Sequence, residues 1–236
     1  MADDTQHGDT DENEFDIGAV VFSTHNEDEQ HVKRDNERGQ NHDWETSFEE
    51  FVERTKKIVV GDPLNDETEI GPIASKQHME RILSFVEKAE EDGDKLLVGG
   101  KRLSEENNGY FIEPTAVLAK SNNSRTCQEE IFGPFASFIS FNSEEEAINI
   151  ANDTEYGLVS YIWSDHLPTI MRISEEMRSG VVWVNTPMMR ELRAPFGGYH
   201  NSGVGREGGY SCEQFYTEEK TISIPKAPLN LKKFGK

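Results

Sequence analysis

Four consecutive apolar residues, Val181 to Val184, lead into a stretch in which six of thirteen residues, Gly197 to Gly209, are glycine. An unbroken apolar run of that length suits a strand covered on both faces, as in a parallel sheet. Glycine reaches positive φ and close-approach conformations that other residues reach only at a cost. A glycine block set among aromatic and charged residues therefore suits a loop that tracks a ligand or another backbone. The same composition also suits a plain exposed loop.

The surrounding pattern narrows the fold. Leu158 to Trp163 reads as a strand, Pro168 to Arg178 as a helix with proline in its first turn, and Val181 to Val184 as the next strand. Upstream, Ser75 is placed to cap a helix whose apolar face is Met79, Ile82, Leu83, Val86 and Ala89, with Asp92-Gly93 as its stop. Leu96 to Val98, Thr115 to Leu118 and Phe135 to Phe141 are further strands, and Ser143 with Glu146 has capping-box spacing before another helix. A second such box, Ser47 with Glu50, opens a helix through Thr55. The tail from Tyr216 to Ile224 alternates enough for an edge strand. Strands alternating with helices imply an α/β layer fold.

Three segments follow from composition. Residues 1 to 43 are rich in Asp, Glu, Asn, Gln and His, and are expected to be acidic and largely disordered. Their one apolar patch, Ile17 to Phe22, has no local partner. Residues 44 to 210 form the folded domain, and 211 to 236 form a terminal strand and tail.

Charge bounds the partners. With 24 Lys and Arg against 45 Asp and Glu, the net charge is −21. Phosphate binding needs basic patches, so nucleic acid is not expected, nor is an anionic membrane surface. A folded chain this acidic has the surface style of proteins from salt-rich cytoplasm. No stretch approaches the roughly 18 apolar residues of a membrane span. The first residues, MADDTQHGDTDENEFD, lack the basic and apolar regions of a signal peptide. Cys127 and Cys212 make no disulfide framework, and no metal-ligand set stands out. A cytoplasmic location is the expectation.

Eight motifs then stand in order: GDPLNDETEIGP (Gly61 to Pro72), GYFIEPTAVL (Gly109 to Leu118), QEEIFGP (Gln128 to Pro134), EEAINIANDTEYGL (Glu145 to Leu158), VVWVNT (Val181 to Thr186), PFGG (Pro195 to Gly198), SGVGREGG (Ser202 to Gly209) and FYTEEKTI (Phe215 to Ile222). Their order and spacing over about residues 45 to 225 resemble the C-terminal, catalytic-domain half of the aldehyde dehydrogenase superfamily. VNTPMMRELRAPFGG looks closest to its hydroxymuconic-semialdehyde branch, whose substrates also carry carboxylates. The resemblance implies a catalytic-domain layer, a mostly parallel sheet with flanking helices, plus a C-terminal oligomerisation strand and no Rossmann domain.

It also implies roles. Glu130 accepts hydrogen bonds from the nicotinamide ribose of NAD or NADP, as an acceptor-only carboxylate can. Phe132 packs beside the nicotinamide. Arg190 and Arg193 flank the site mouth, where a guanidinium fork suits a substrate carboxylate. A surface ion pair with Glu191 or another acid is the plainer reading of that pair. Asn185 and Phe196 stand near the aldehyde pocket, and Glu207 near the attacking water. The plain alternatives are a solvated helix or loop carboxylate for Glu130, core packing for Phe132 and loop scaffolding for Glu207.

Departures matter as much. The family's reaction needs a cysteine thiolate to attack the aldehyde, after which hydride leaves to NAD(P) and water releases the acid. That cysteine follows an N-x-G-Q stretch, of which Gly39-Gln40 has the look, yet no cysteine follows within reach here. Neither Cys127 nor Cys212 stands in its place. The glycine turn of a dinucleotide-binding domain is missing too, and His200 stands where the family commonly has lysine. The expectation is an aldehyde dehydrogenase homologue that is inactive alone. Its alternative is a non-catalytic subunit that forms homo-oligomers or joins a full-length dehydrogenase.

Overall fold

The structure, a computed structural model, describes residues 18–23, 44–103, 109–186, 189, 191–228 and 235. The disorder expected for residues 1 to 43 lies, apart from 18–23, outside the described residues.

The core is organised by α2 (Lys76–Asp92), which forms where its caps and apolar spacing put it. The Ser75 hydroxyl accepts from the His78 N–H at 3.2 Å. Gly93, at φ 85°, closes the last turn by donating to the carbonyls of Ala89 and Glu90. Met79, Ile82, Phe85 and Ala89 recur at three- and four-residue spacing and bury one face. Phe85 is fully enclosed, and the sequence pattern had passed it over in favour of the half-buried Leu83 and Val86. Ile112, Val117, Ile131 and Phe135 complete the cluster.

Beneath α2 lies a four-stranded sheet of β1 (Gly18–Ser23), β2 (Lys95–Val98), β3 (Thr115–Leu118) and β4 (Phe135–Phe141), in the order β1-β4-β3-β2. A second sheet pairs β5 (Val159–Ile162) with β6 (Val181–Val184). The four-stranded sheet is mixed rather than mostly parallel, which corrects the sequence expectation. β3 pairs with β4 and β5 with β6 in parallel, while β1–β4 and β2–β3 are antiparallel. The reason is in the connections. A helix stands between each parallel pair, α3 (Arg125–Gln128) or α5 (Leu167–Glu176). β2 and β3 have none between them among the described residues and pair antiparallel.

Other expectations need correcting. The patch at Ile17 to Phe22 does find a partner, since β1 registers Gly18 against Phe141 through Ser23 against Ala136. That partner is more than a hundred residues away, beyond the reach of local pattern. α1 (Trp44–Thr55) begins before Ser47, so Ser47 is a helix-interior residue and no cap. The helix is pinned by Phe51, whose ring meets that of Phe138 edge-on at 4.8 Å. α4 (Glu144–Asn152) keeps its predicted cap, Ser143 accepting from the Glu146 N–H at 3.1 Å. The Glu146 carboxylate reaches back to the Asn142 N–H at 2.8 Å, one residue beyond the usual box. β6 is half-buried throughout rather than covered on both faces, because its sheet has two strands among the described residues. Finally, Tyr216 ends a helix, α6 (Gly209–Tyr216), and no strand forms over 217–225. An edge strand needs a neighbour to pair with, and the described residues place none beside it.

Candidate functional site

The loop that follows α3 is fixed at both ends. At its start, buried Asp94 accepts from the Lys120 N–H at 2.9 Å, the Ser124 hydroxyl at 2.6 Å and the Thr126 hydroxyl at 2.8 Å. A buried carboxylate with several good donors is satisfied and directional. Arg125 grips Asp92 through Nε and Nη2 at 2.8–3.2 Å, which holds the Asp92 carboxyl below its ordinary range.

At the loop's far end, α2 meets the carbonyls of three successive residues. Arg81 donates from Nη2 to the Glu130 carbonyl and from Nη1 to the Ile131 carbonyl, the latter at 2.7 Å. His78 Nε2 sits 2.6 Å from the Phe132 carbonyl oxygen, so it carries the proton there. Lys88 reaches the Glu129 carboxylate at 3.3 Å. Gly133 lies so close to α2 that a β-carbon on it would meet Ile82 at 2.5 Å.

This arrangement decides how the loop's side chains face. Ile131 is fully buried, while Glu130 and Phe132 point outward, with Phe132 52% exposed. Core packing is therefore not the role of Phe132. Its φ of 60° is left-handed, which costs a non-glycine residue about 1–2 kcal/mol. The sequence motif proposes Glu130 and Phe132, and it does not single out His78 and Arg81. Their signal is an i, i+3 placement on the polar face of α2, which the apolar spacing does not carry.

The second region runs from the end of β6 through the glycine block. Asn185, at φ 51°, spends its amide on the backbone of one residue: Oδ1 accepts from the Ser164 N–H at 3.0 Å and Nδ2 donates to the Ser164 carbonyl at 2.7 Å. Arg190 lies outside the described residues. Arg193 is the exposed partner of Glu191, donating from Nε at 2.7 Å and Nη2 at 2.8 Å. That bidentate pair and the Arg193 N–H hold the Glu191 carboxyl at about 2, and Glu191 raises Arg193 in turn. The plainer reading of Arg193, a surface ion pair, is the one the structure forms. Phe196 and Glu207 are brought together by two backbone hydrogen bonds of 2.8 Å each.

The glycines resolve the opening ambiguity in favour of backbone. A β-carbon at Gly180 would overlap the Gly197 carbonyl, and one at Gly209 would overlap the Arg193 carbonyl. The block is also tied to the turn before β5. Ser202 Oγ accepts from the Gly157 N–H at 2.9 Å, and the Tyr199 N–H donates to the Gly157 carbonyl at 2.8 Å. Arg206 lies over the Tyr199 ring at 5.3 Å.

Cys127 is not set up as a nucleophile. Cys127 is buried within α3, and desolvation pushes its thiol up to about 11, far from the thiolate that attacks carbonyls. Cys212 is half-buried on α6, beyond the glycine block. No cluster of three or more His, Cys, Asp or Glu suited to a metal occurs among the described residues. No helix among them is long and apolar enough to cross a membrane.

Comparison with known proteins supplies the family. Residues 39–222 match the aldehyde dehydrogenase family. The chain belongs to that family. The 2-aminomuconic 6-semialdehyde dehydrogenase of a Pseudomonas sp is 43% identical over 177 residues, 74% of this chain and 36% of that protein. The 2-hydroxymuconic semialdehyde dehydrogenase of Pseudomonas sp. strain CF600 is 38% identical over 184 residues, 75% of this chain and 38% of that protein. Among solved structures, HpcC from Thermus thermophilus superposes with a TM-score of 0.76 at 41% identity, over 82% of this chain and 38% of its own. Betaine aldehyde dehydrogenase from Staphylococcus aureus, solved with NAD+, gives a TM-score of 0.70 at 35% identity, over 73% of this chain and 35% of its own. The chain thus spans little more than a third of the length of the aldehyde dehydrogenases it matches.

Proposed function

We propose that this chain is the nicotinamide- and substrate-facing segment of an NAD(P)-dependent aldehyde dehydrogenase, and that the 236-residue polypeptide does not turn over by itself. The observation that carries the reading is the Glu130–Phe132 turn. A carboxylate and an aromatic ring stand outward on a backbone that α2 holds in a left-handed conformation. Strain of that kind is kept where the surroundings over-determine it, which favours a binding role.

Glu130 would accept from the ribose hydroxyls, and the Phe132 ring would cover one face of the nicotinamide. NAD or NADP, when bound, supplies the hydride acceptor. On the substrate side, the Phe196–Glu207 pair would bring an aromatic wall beside a carboxylate able to hold a water. Asn185 acts through shape, since its amide is taken by Ser164. The two relatives named as muconic semialdehyde dehydrogenases support a semialdehyde substrate. Arg190 and Arg193 are the candidates for its carboxylate, with Arg193 exchanging Glu191 for the ligand. Activity in the 236-residue chain would need a thiolate, and burial holds the Cys127 thiol protonated.

The test uses β-nicotinamide mononucleotide, which carries the nicotinamide and ribose without the adenine half. In a 15N-labelled chain, titration is expected to move the amide signals of Glu130, Ile131 and Phe132, and Glu130→Gln is expected to abolish most of that response. Shifts spread evenly over the surface, or a full response in Glu130→Gln, would refute the ribose contact.

A second reading has its own observation. Ile222 and Ile224, at 75% and 83% exposed, alternate with polar residues on a segment that pairs with no strand among the described residues. Such an edge seeks a partner strand, and a non-catalytic assembly subunit would use it. Light scattering should then show a self-associated chain, or co-purification should show it with a full-length dehydrogenase. A monodisperse monomer that ignores the dehydrogenase excludes this reading.

A further inference from the structure

We propose that Arg81, assisted by His78, is the positioning residue that fixes the Glu130–Phe132 turn for a nicotinamide ribose, an inference that rests on the cofactor reading above. The contacts run in register along one helix. His78 meets the Phe132 carbonyl, Arg81 meets those of Ile131 and Glu130, and Lys88 meets the Glu129 carboxylate, so the loop runs antiparallel to α2. Arg81 alone holds two successive carbonyls, for which a rigid planar fork with divergent donors is better pre-organised than a flexible ammonium. Its own place is set by Phe85, whose buried ring lies 5.3 Å from the guanidinium carbon. Ile82 closes the gap beneath Gly133. Positioning therefore passes from the core through Arg81 to backbone, and leaves the Glu130 carboxylate and Phe132 ring outside.

The clamp offsets a conformational cost. Left alone, Phe132 would relax out of its left-handed conformation. Two charged donors on adjacent carbonyls oppose that relaxation. A turn held in one conformation spends less of its binding energy on ordering itself around a ligand.

The experiment compares the full chain with Arg81→Met and Arg81→Lys by 15N relaxation and by titration with β-nicotinamide mononucleotide. In the wild type, the amides of Ile131, Phe132 and Gly133 should have order parameters of about 0.85, and in Arg81→Met they should fall below about 0.6. The β3 and β4 amides and the urea midpoint should stay unchanged. Apparent affinity for the mononucleotide should drop at least about tenfold in Arg81→Met and return in part in Arg81→Lys. Should Arg81→Met fail to fold, Arg81→Lys is read in its place, with the same sign and a smaller loss. Unchanged order parameters at 131–133 would overturn the positioning role, whatever the titration shows. So would a freed turn that binds the mononucleotide as tightly as the wild type. If the wild type itself gives no response while Arg81→Met frees the turn, the clamp stands and the cofactor reading fails.

Discussion

Replacing Phe85 with alanine should cost the fold about 3–5 kcal/mol, the range for emptying a fully enclosed phenylalanine site. Phe85 has no exposed surface and sits at the centre of the cluster that joins α2 to β3, β4 and Ile131. Two cations also lean on its ring, Lys88 Nζ at 3.9 Å and the Arg81 guanidinium at 5.3 Å, so alanine removes those contacts with the packing. Domains hold only about 5–15 kcal/mol in total, so the loss takes a large share. With a urea slope of about 1–3 kcal/mol/M, the unfolding midpoint should fall by roughly 2 M at an unchanged slope. Phe85→Leu, which keeps most of the volume, should lose much less. A midpoint shift below about 0.5 M in Phe85→Ala would mean that the cluster does not organise this half of the molecule.

Much of the frame could be read from the chain because its signals are local. Ser75 and Gly93 bracket α2 as cap chemistry requires, and Val181 to Val184 became a parallel strand at the residues expected. What escaped depends on residues far apart in sequence. β1 pairs with β4 across more than a hundred residues, and no periodicity within Gly18–Ser23 carries that information. The missing terminal strand has the same origin, since alternation at Ile222 and Ile224 describes a strand only once something lies beside it. The candidate site divides along the same line. Motif order singled out Glu130 and Phe132, because the motif that carries them is contiguous in the loop. Arg81 and His78 were illegible, because their meaning lies in carbonyls some fifty residues on. Arg193 shows the converse. The nearest carboxylate in sequence, Glu191, proved to be its partner, and a strong local pair overrides a longer-range inference. The glycine block needed the carbonyls of Gly197 and Arg193 in place before it could be read as close backbone packing.

The second large effect concerns turnover. A family member that oxidises an aldehyde through a thiolate loses the chemical step when the thiolate is missing, and nucleophile removal commonly costs several orders of magnitude in rate. Cys127 cannot substitute, because its burial holds the proton on sulfur up to about pH 11 and encloses the atom within α3. Raising the assay pH from 7 to 9 should therefore not awaken it, since both values lie well below that titration. Cys212, on the helix after the glycine block, is the one remaining thiol, and Cys212→Ser should leave any trace rate unchanged. The direct measurement is incubation of the purified 236-residue chain with NAD, with NADP and with a panel of semialdehydes, following reduced nucleotide against a protein-free control. The expected result is no reduced nucleotide above that control with either cofactor. Sustained formation of NADH or NADPH in step with carboxylic acid, dependent on the chain and abolished by thiol alkylation, would contradict it.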